Sequence, residues 1–100
     1  MYYTKDEIDN TMNIVINDFE ETYKGCTLIN LWHMEDEENN SIEKSLANEY
    51  DATRTMIIYG DFKSGLNVDS GITPNNNYTE FKWILIKNSN RQWEIKDRGY

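Results

Sequence analysis

The side chains best suited to chemistry in this chain form three small groups. His33 and Glu35 are two apart, so on an extended segment they would share a face and offer an imidazole and a carboxylate to a metal ion. One His with carboxylates is a thin set for zinc, which takes several His or Cys ligands, so a surface His beside acids is expected and no metal. Glu35, Asp36, Glu37 and Glu38 are four consecutive acids. A calcium loop spaces its oxygens and turns on a glycine, and this run does neither. It reads as a solvated loop, and next as a docking patch for Arg and Lys. Asp61 lies in Tyr59-Gly60-Asp61-Phe62, inside a β-type segment. A general base there would need a pocket and a partner such as Tyr59, which shares its strand face. Gly60 equally marks a bulge that curves the sheet.

Trp32, Tyr59 and Trp83 are the aromatic residues proposed to line a pocket, with Asp61 beside them. The competing reading is core packing, with Trp83 and Trp93 paired across a hairpin. Cys26 is the only cysteine, so no intramolecular disulfide can form. A catalytic thiol wants an electropositive setting with a nearby His. The surroundings here are acidic, and Cys26 reads as a small buried hydrophobe. No Ser-His-Asp signature and no phosphate-cradling glycine pattern is present. No catalytic residue and no cofactor is assigned.

Charge is the feature that exceeds these readings. Residues 1–50 carry twelve Asp and Glu against three Lys, a net of −9; residues 51–100 carry six acids against seven bases, a net of +1. The total of −8 disfavours direct binding to nucleic acid or to an anionic membrane. A small acidic face matches a basic protein surface instead. Lys82, Lys87, Arg91, Lys96 and Arg98 interleave with Trp83 and Trp93, but with neighbouring acids they make a poor nucleic-acid footprint.

These residues must be positioned by the elements of one domain, since 100 residues leave no room for two cores. Thr4 and Glu7 have capping-box spacing, and Ile8, Met12, Val15, Phe19 and Tyr23 form one apolar stripe. That predicts a long first helix ended by Gly25, with Asn13, Asn17, Glu20, Glu21 and Lys24 on its solvated face. A strand is expected over Thr27–Trp32, and a second helix from Asn40 or Ser41 with Glu43 in its first turn. Strands follow at Thr55–Phe62, Phe81–Lys87 and Gln92–Lys96, with a long polar loop over residues 64–77 and a hairpin turn at Asn88–Arg91. The order α-β-α-β-β-β implies an α+β fold, a curved antiparallel sheet packed on the first helix. An exposed strand edge would make the chain a monomer or a weak homodimer. No apolar run is long enough to span a bilayer. If Met1 is the natural start the protein is expected in the cytoplasm, and if an export segment preceded it, outside the cell.

Gly25-Cys26-Thr27-Leu28 after the helix, Tyr50-Asp51-Ala52 before a strand, the run Tyr78–Ile86 and the terminal Gln92-Trp93 to Gly99-Tyr100 resemble a domain-of-unknown-function family. That family is common in Gram-positive secreted lipoproteins and has a cystatin-like, nuclear-transport-factor-like fold. The resemblance implies a cone-shaped sheet around a long helix and no particular reaction; in enzymes of this fold group an acid at the cone mouth can act as a base. In size and charge alone the chain also resembles phage-type inhibitors such as anti-CRISPR proteins, some of which occupy a groove meant for nucleic acid.

Two functions follow. The first is a non-enzymatic acidic binding module presenting Glu20, Glu21, Glu35, Asp36, Glu37 and Glu38 to a basic protein surface, one that handles nucleic acid. The second is a small-ligand domain whose pocket is lined by Trp32, Tyr59, Asp61 and Trp83. The first requires the carboxylates of the opening fifty residues to gather on one side.

Overall fold

A computed structural model describes residues 3–68 and 72–99. The elements run α1 (Lys5–Thr22), β1 (Cys26–Trp32), α2 (Glu37–Glu49), β2 (Arg54–Ser64), β3 (Asn77–Lys87) and β4 (Trp93–Gly99). The strands form one antiparallel sheet in the order β1-β2-β3-β4. This is the α+β architecture that the element order implies. The first helix is shorter than expected. At 18 residues it is about 27 Å long, and a second helix of 13 residues takes the remaining helical content. No single long helix is wrapped by the sheet.

The start of α1 follows from its capping box. Thr4 Oγ1 accepts from the Glu7 N–H at 3.1 Å, and Glu7 Oε1 accepts from the Thr4 N–H at 3.1 Å. The helix stops at Tyr23, and Gly25 turns the chain with φ +84°. A side chain at Gly25 would also strike the Asn67 carbonyl at 2.2 Å, so both conformation and space require glycine.

The core lies between α1 and one face of the sheet. Val15 and Phe19 from α1 meet Met56, Ile58 and Phe62 from β2, Phe81, Trp83 and Leu85 from β3, and Trp93 from β4. These are the alternating positions that strand periodicity sends to one face. Phe62 is central, in edge-on contact with Phe19 and Phe81 and stacked on Tyr78. The register shifts between Gly60 and Phe62, so Gly60-Asp61 forms the expected bulge. A Cβ at Gly60 would come within 2.9 Å of Trp83 Cζ3, which shows how closely strand and ring approach. Trp83 pairs across the sheet with Arg98 and Trp93 with Lys87, so the expected Trp83–Trp93 pair does not form.

Two local readings are corrected. The polar loop after β2 is shorter at its far end, because β3 begins at Asn77; Asp69, Ser70 and Gly71 of that loop lie outside the described residues. And α2 starts at Glu37, so Glu37 and Glu38 are helical rather than part of a loop. Asp36 is the N-cap and accepts from the Asn39 N–H at 2.7 Å. The positive helix start stabilises acids in the first turn, an effect that outweighs their mutual repulsion.

Candidate functional site

The residues around the start of α2 are built from the end of β1 outward. Trp32, the last residue of β1, pairs with Tyr59 of β2, and the two rings stack at 6.1 Å. Past this point β1 leaves β2 unpaired on that side. The chain continues through His33, Met34 and Glu35 into the cap at Asp36. Helix α2 then returns over the free stretch of β2 and supplies the missing acceptor: Glu43 Oε2 accepts from the Ile57 N–H at 2.9 Å. The same oxygen lies 3.0 Å from His33 Nε2. Glu43 is therefore a buried carboxyl group acting as a substitute strand partner, held against the His33 imidazole.

His33 is closed off from solvent. Its side chain is 2% exposed, and the Glu43 side chain is fully buried. The Tyr3 ring lies edge-on to His33 at 5.2 Å, and the Tyr3 hydroxyl donates to the Thr55 carbonyl. His33 thus does not sit on the surface, as its acidic neighbours suggested. Its nearest carboxylate is the distant Glu43 rather than Glu35, which stays 4.0 Å from Nδ1. Neither group lines the notch at the start of α2, and the His–Glu pair clamps α2 to the sheet. Among the described residues, no group of three or more His, Cys, Asp or Glu side chains is placed to hold a metal.

Beside this clamp lies an open notch of about 200 Å³, lined by Met34, Asp36, Glu38, Asn39, Ile42 and Tyr59. Asn39 organises its floor. Its Nδ2 donates to the Met34 carbonyl at 2.9 Å, and its Oδ1 accepts from the Tyr59 hydroxyl at 2.7 Å. Tyr59 is buried, and its phenol is pushed above its ordinary pKa by burial first, then by Glu43, Asp36, Glu80 and Glu38. No base lines the notch, and among the described residues no salt bridge reaches Asp36, Glu37 or Glu38. Ile42 contributes an apolar rim and is 45% exposed.

The remaining expected site residues are dispersed. Glu20 and Glu21 are exposed in the last turn of α1, where the chain approaches β1, whereas Glu35–Glu38 follow the far end of β1. The strand between spans about 20 Å. Other acids of the first half are matched by bases of the second. Glu7 Oε2 meets Arg54 at 2.6 Å and Lys87 at 3.5 Å. Asp18 takes two bonds from Arg98, at 2.8 and 2.6 Å. The carboxylates therefore do not gather on one side: Glu7 and Asp18 are paired, and the acids that no salt bridge reaches among the described residues include Glu20 and Glu21 at one end of β1 and Asp36, Glu37 and Glu38 past the other.

The aromatic set divides likewise. Trp32 and Tyr59 stack together, but Trp83 is fully buried on the opposite face beside Phe19 and Phe81. Asp61 Oδ1 accepts from the Glu80 N–H at 3.0 Å and holds the bulged strand in register. The structure does not bring these four residues into one pocket. Asn39, Ile42 and Glu43 are the site residues that sequence reasoning missed. Asn39 three residues after Asp36 was a readable sign, since an Asp N-cap bonds the third residue of its helix.

No protein-family model, no curated protein and no solved structure matches the chain. Among the described residues no helix is long and apolar enough to cross a membrane.

Proposed function

We propose that this protein is a non-enzymatic binding module that receives a basic side chain of a partner protein in the notch at the start of α2. The observation that carries the reading is the notch itself: Asp36 and Glu38 over a polar floor of Tyr59 and Asn39, with an Ile42 rim and no base within it. A guanidinium or ammonium group finds carboxylates for its charge, an aromatic wall for its face and an apolar edge for its stem. The reading is narrower than an acidic half of the chain, because Glu20 and Glu21 stand a strand length away and Glu7 and Asp18 are already paired. A groove built to hold nucleic-acid phosphates is one protein surface of the required charge, which keeps a phage-type inhibitor within this proposal. The small-ligand pocket of Trp32, Tyr59, Asp61 and Trp83 has no such support, since those residues face different ways.

The test is an arginine-rich peptide titrated into the wild type and into the double variant E37K/E38K, which leaves the Asp36 cap in place. The wild type is expected to bind with an affinity that falls steeply with salt. The variant should lose about tenfold or more, chiefly through slower association. Equal association rates for the two proteins would contradict the proposal.

A further inference from the structure

One cleft in this acidic protein is basic. It holds about 450 Å³ and is lined by Thr53, Arg54, Lys87, Asn88, Ser89 and Arg91. Three of the chain's ten Lys and Arg residues thus meet in one place. Arg54 and Lys87 are direct cross-strand partners of β2 and β3, so the sheet sets their spacing. Both are fixed from below. Glu7 Oε2 binds the two of them, the Arg54 guanidinium lies 4.5 Å from the Tyr3 ring centre, and Lys87 Nζ lies 5.8 Å from that of Trp93.

Arg91 closes the cleft from the hairpin between β3 and β4. It is held at φ +61° by a tight turn in which its N–H donates to the Asn88 carbonyl at 3.0 Å. Asn88 Oδ1 accepts from the N–H groups of Asn90 and Gln92 at 2.9 and 3.1 Å, which stiffens the turn. Among the described residues, the Arg91 side chain has no acidic partner. Glu94 contacts the Asn88 amide at 3.5 Å but does not line the cleft. Among the described residues no carboxylate lines the cleft, and the charge of Glu7, bonded to Arg54 and Lys87, is shared between the two. Like charges held this close are costly unless an anion joins them. Thr53 and Ser89 add hydroxyl donors at the rim.

We infer that this cleft binds a phosphoryl dianion, as the free ion or carried by a small phosphorylated molecule, through Arg54, Lys87 and Arg91. The guanidinium forks suit phosphate oxygens, and the volume lies within the roughly 300–1,000 Å³ usual for small-ligand sites. A nucleic-acid strand is the poorer candidate, because its successive phosphates would meet a protein of net charge −8. The inference is independent of the notch on α2 and shares no residue with it.

The test follows the backbone amide signals of residues 88–92 during titration with inorganic phosphate, with adenosine monophosphate and with a short DNA strand. Sodium chloride at matched ionic strength is the control. Saturable shifts with phosphate, absent with chloride and weakened about tenfold in both R91Q and K87Q, are expected. Equal affinity for the first two probes assigns the free ion, and tighter binding of the monophosphate assigns a small phosphorylated ligand. The inference is overturned by no saturable shift, by shifts that chloride reproduces, by unchanged binding in both folded variants, or by tightest binding of the DNA strand.

Discussion

Among the described residues, no salt bridge reaches Asp36, Glu37 or Glu38, which face solvent where α2 begins, whereas at the β3–β4 hairpin Arg54 and Lys87 share Glu7 and Arg91 has no acidic partner. The two regions sit on the same strand, with Tyr59 and Arg54 five residues apart, or about 16 Å. Their difference shows how folding sorts charge. The chain's halves differ by ten units, yet the fold matches Glu7 with Arg54 and Lys87, and Asp18 with Arg98. Beside these pairs the fold builds a negative notch and a positive cleft. Net charge by segment locates neither, because it carries no information on which side chains the fold brings together.

Glu43 lies between the two regions and holds the first to the sheet, so its removal should break the comparison most severely. Glu43→Ala leaves the Ile57 N–H and the His33 imidazole buried without their acceptor. The expected loss is about 3–5 kcal/mol in urea unfolding, a large share of a small domain's stability. Glu43→Gln keeps an acceptor and should lose less. A Glu43→Ala protein within about 1 kcal/mol of the wild type would show that α2 is not clamped in this way.

A smaller effect belongs to Glu7 at the basic cleft. Burial raises its carboxyl pKa, but the Thr4 N–H, Arg54 and Lys87 together bring it below the ordinary value of 4.5. Since the folded pKa is the lower one, the stabilisation is complete above the unfolded value. It fades as pH falls toward and through the folded one. Glu7→Gln should lower stability at neutral pH by about 1–3 kcal/mol, and the difference from wild type should shrink on acidification. A difference that is constant down to acid pH would contradict this pairing.

The smallest effect is spectroscopic and contrasts the notch with the loop before β3. The phenol of Tyr59 is raised by burial and by the carboxylates around it. That of Tyr78 is lowered by hydrogen bonding to Thr73, first from its side chain and then from its N–H, which lies 2.9 Å from the phenol oxygen and favours the phenolate. In an ultraviolet titration, Y78F should remove an early step and Y59F a late one. The reverse order would contradict both assignments.

Much of the fold is legible in the sequence because periodicity and capping are local. Thr4 and Glu7, the stripe from Ile8 to Tyr23, Gly25, and the alternation through Met56–Phe62 and Phe81–Leu85 each report their own neighbourhood. The site is less legible because its bonds are non-local. Nothing near Glu43 in the chain indicates that it replaces a strand partner of Ile57, fourteen residues on. His33 looked exposed because its sequence neighbours are acidic, while its spatial neighbours are Tyr3 and Glu43. Arg54, Lys87 and Arg91 meet only once β2 pairs with β3 and the hairpin turns, so spacing along the chain gave no sign of a shared cleft. Repulsion alone makes the acidic run Glu35–Glu38 resemble a loop, whereas Asp36 caps a helix that takes in Glu37 and Glu38.

The most direct measurement is a residue-by-residue map of amide shifts as an arginine-rich peptide is added to the intact protein. The account predicts that the changes centre on residues 34–43 and on Tyr59, with Glu20 and Glu21 unmoved. Shifts centred on the end of α1, or spread evenly over every exposed carboxylate, would contradict it.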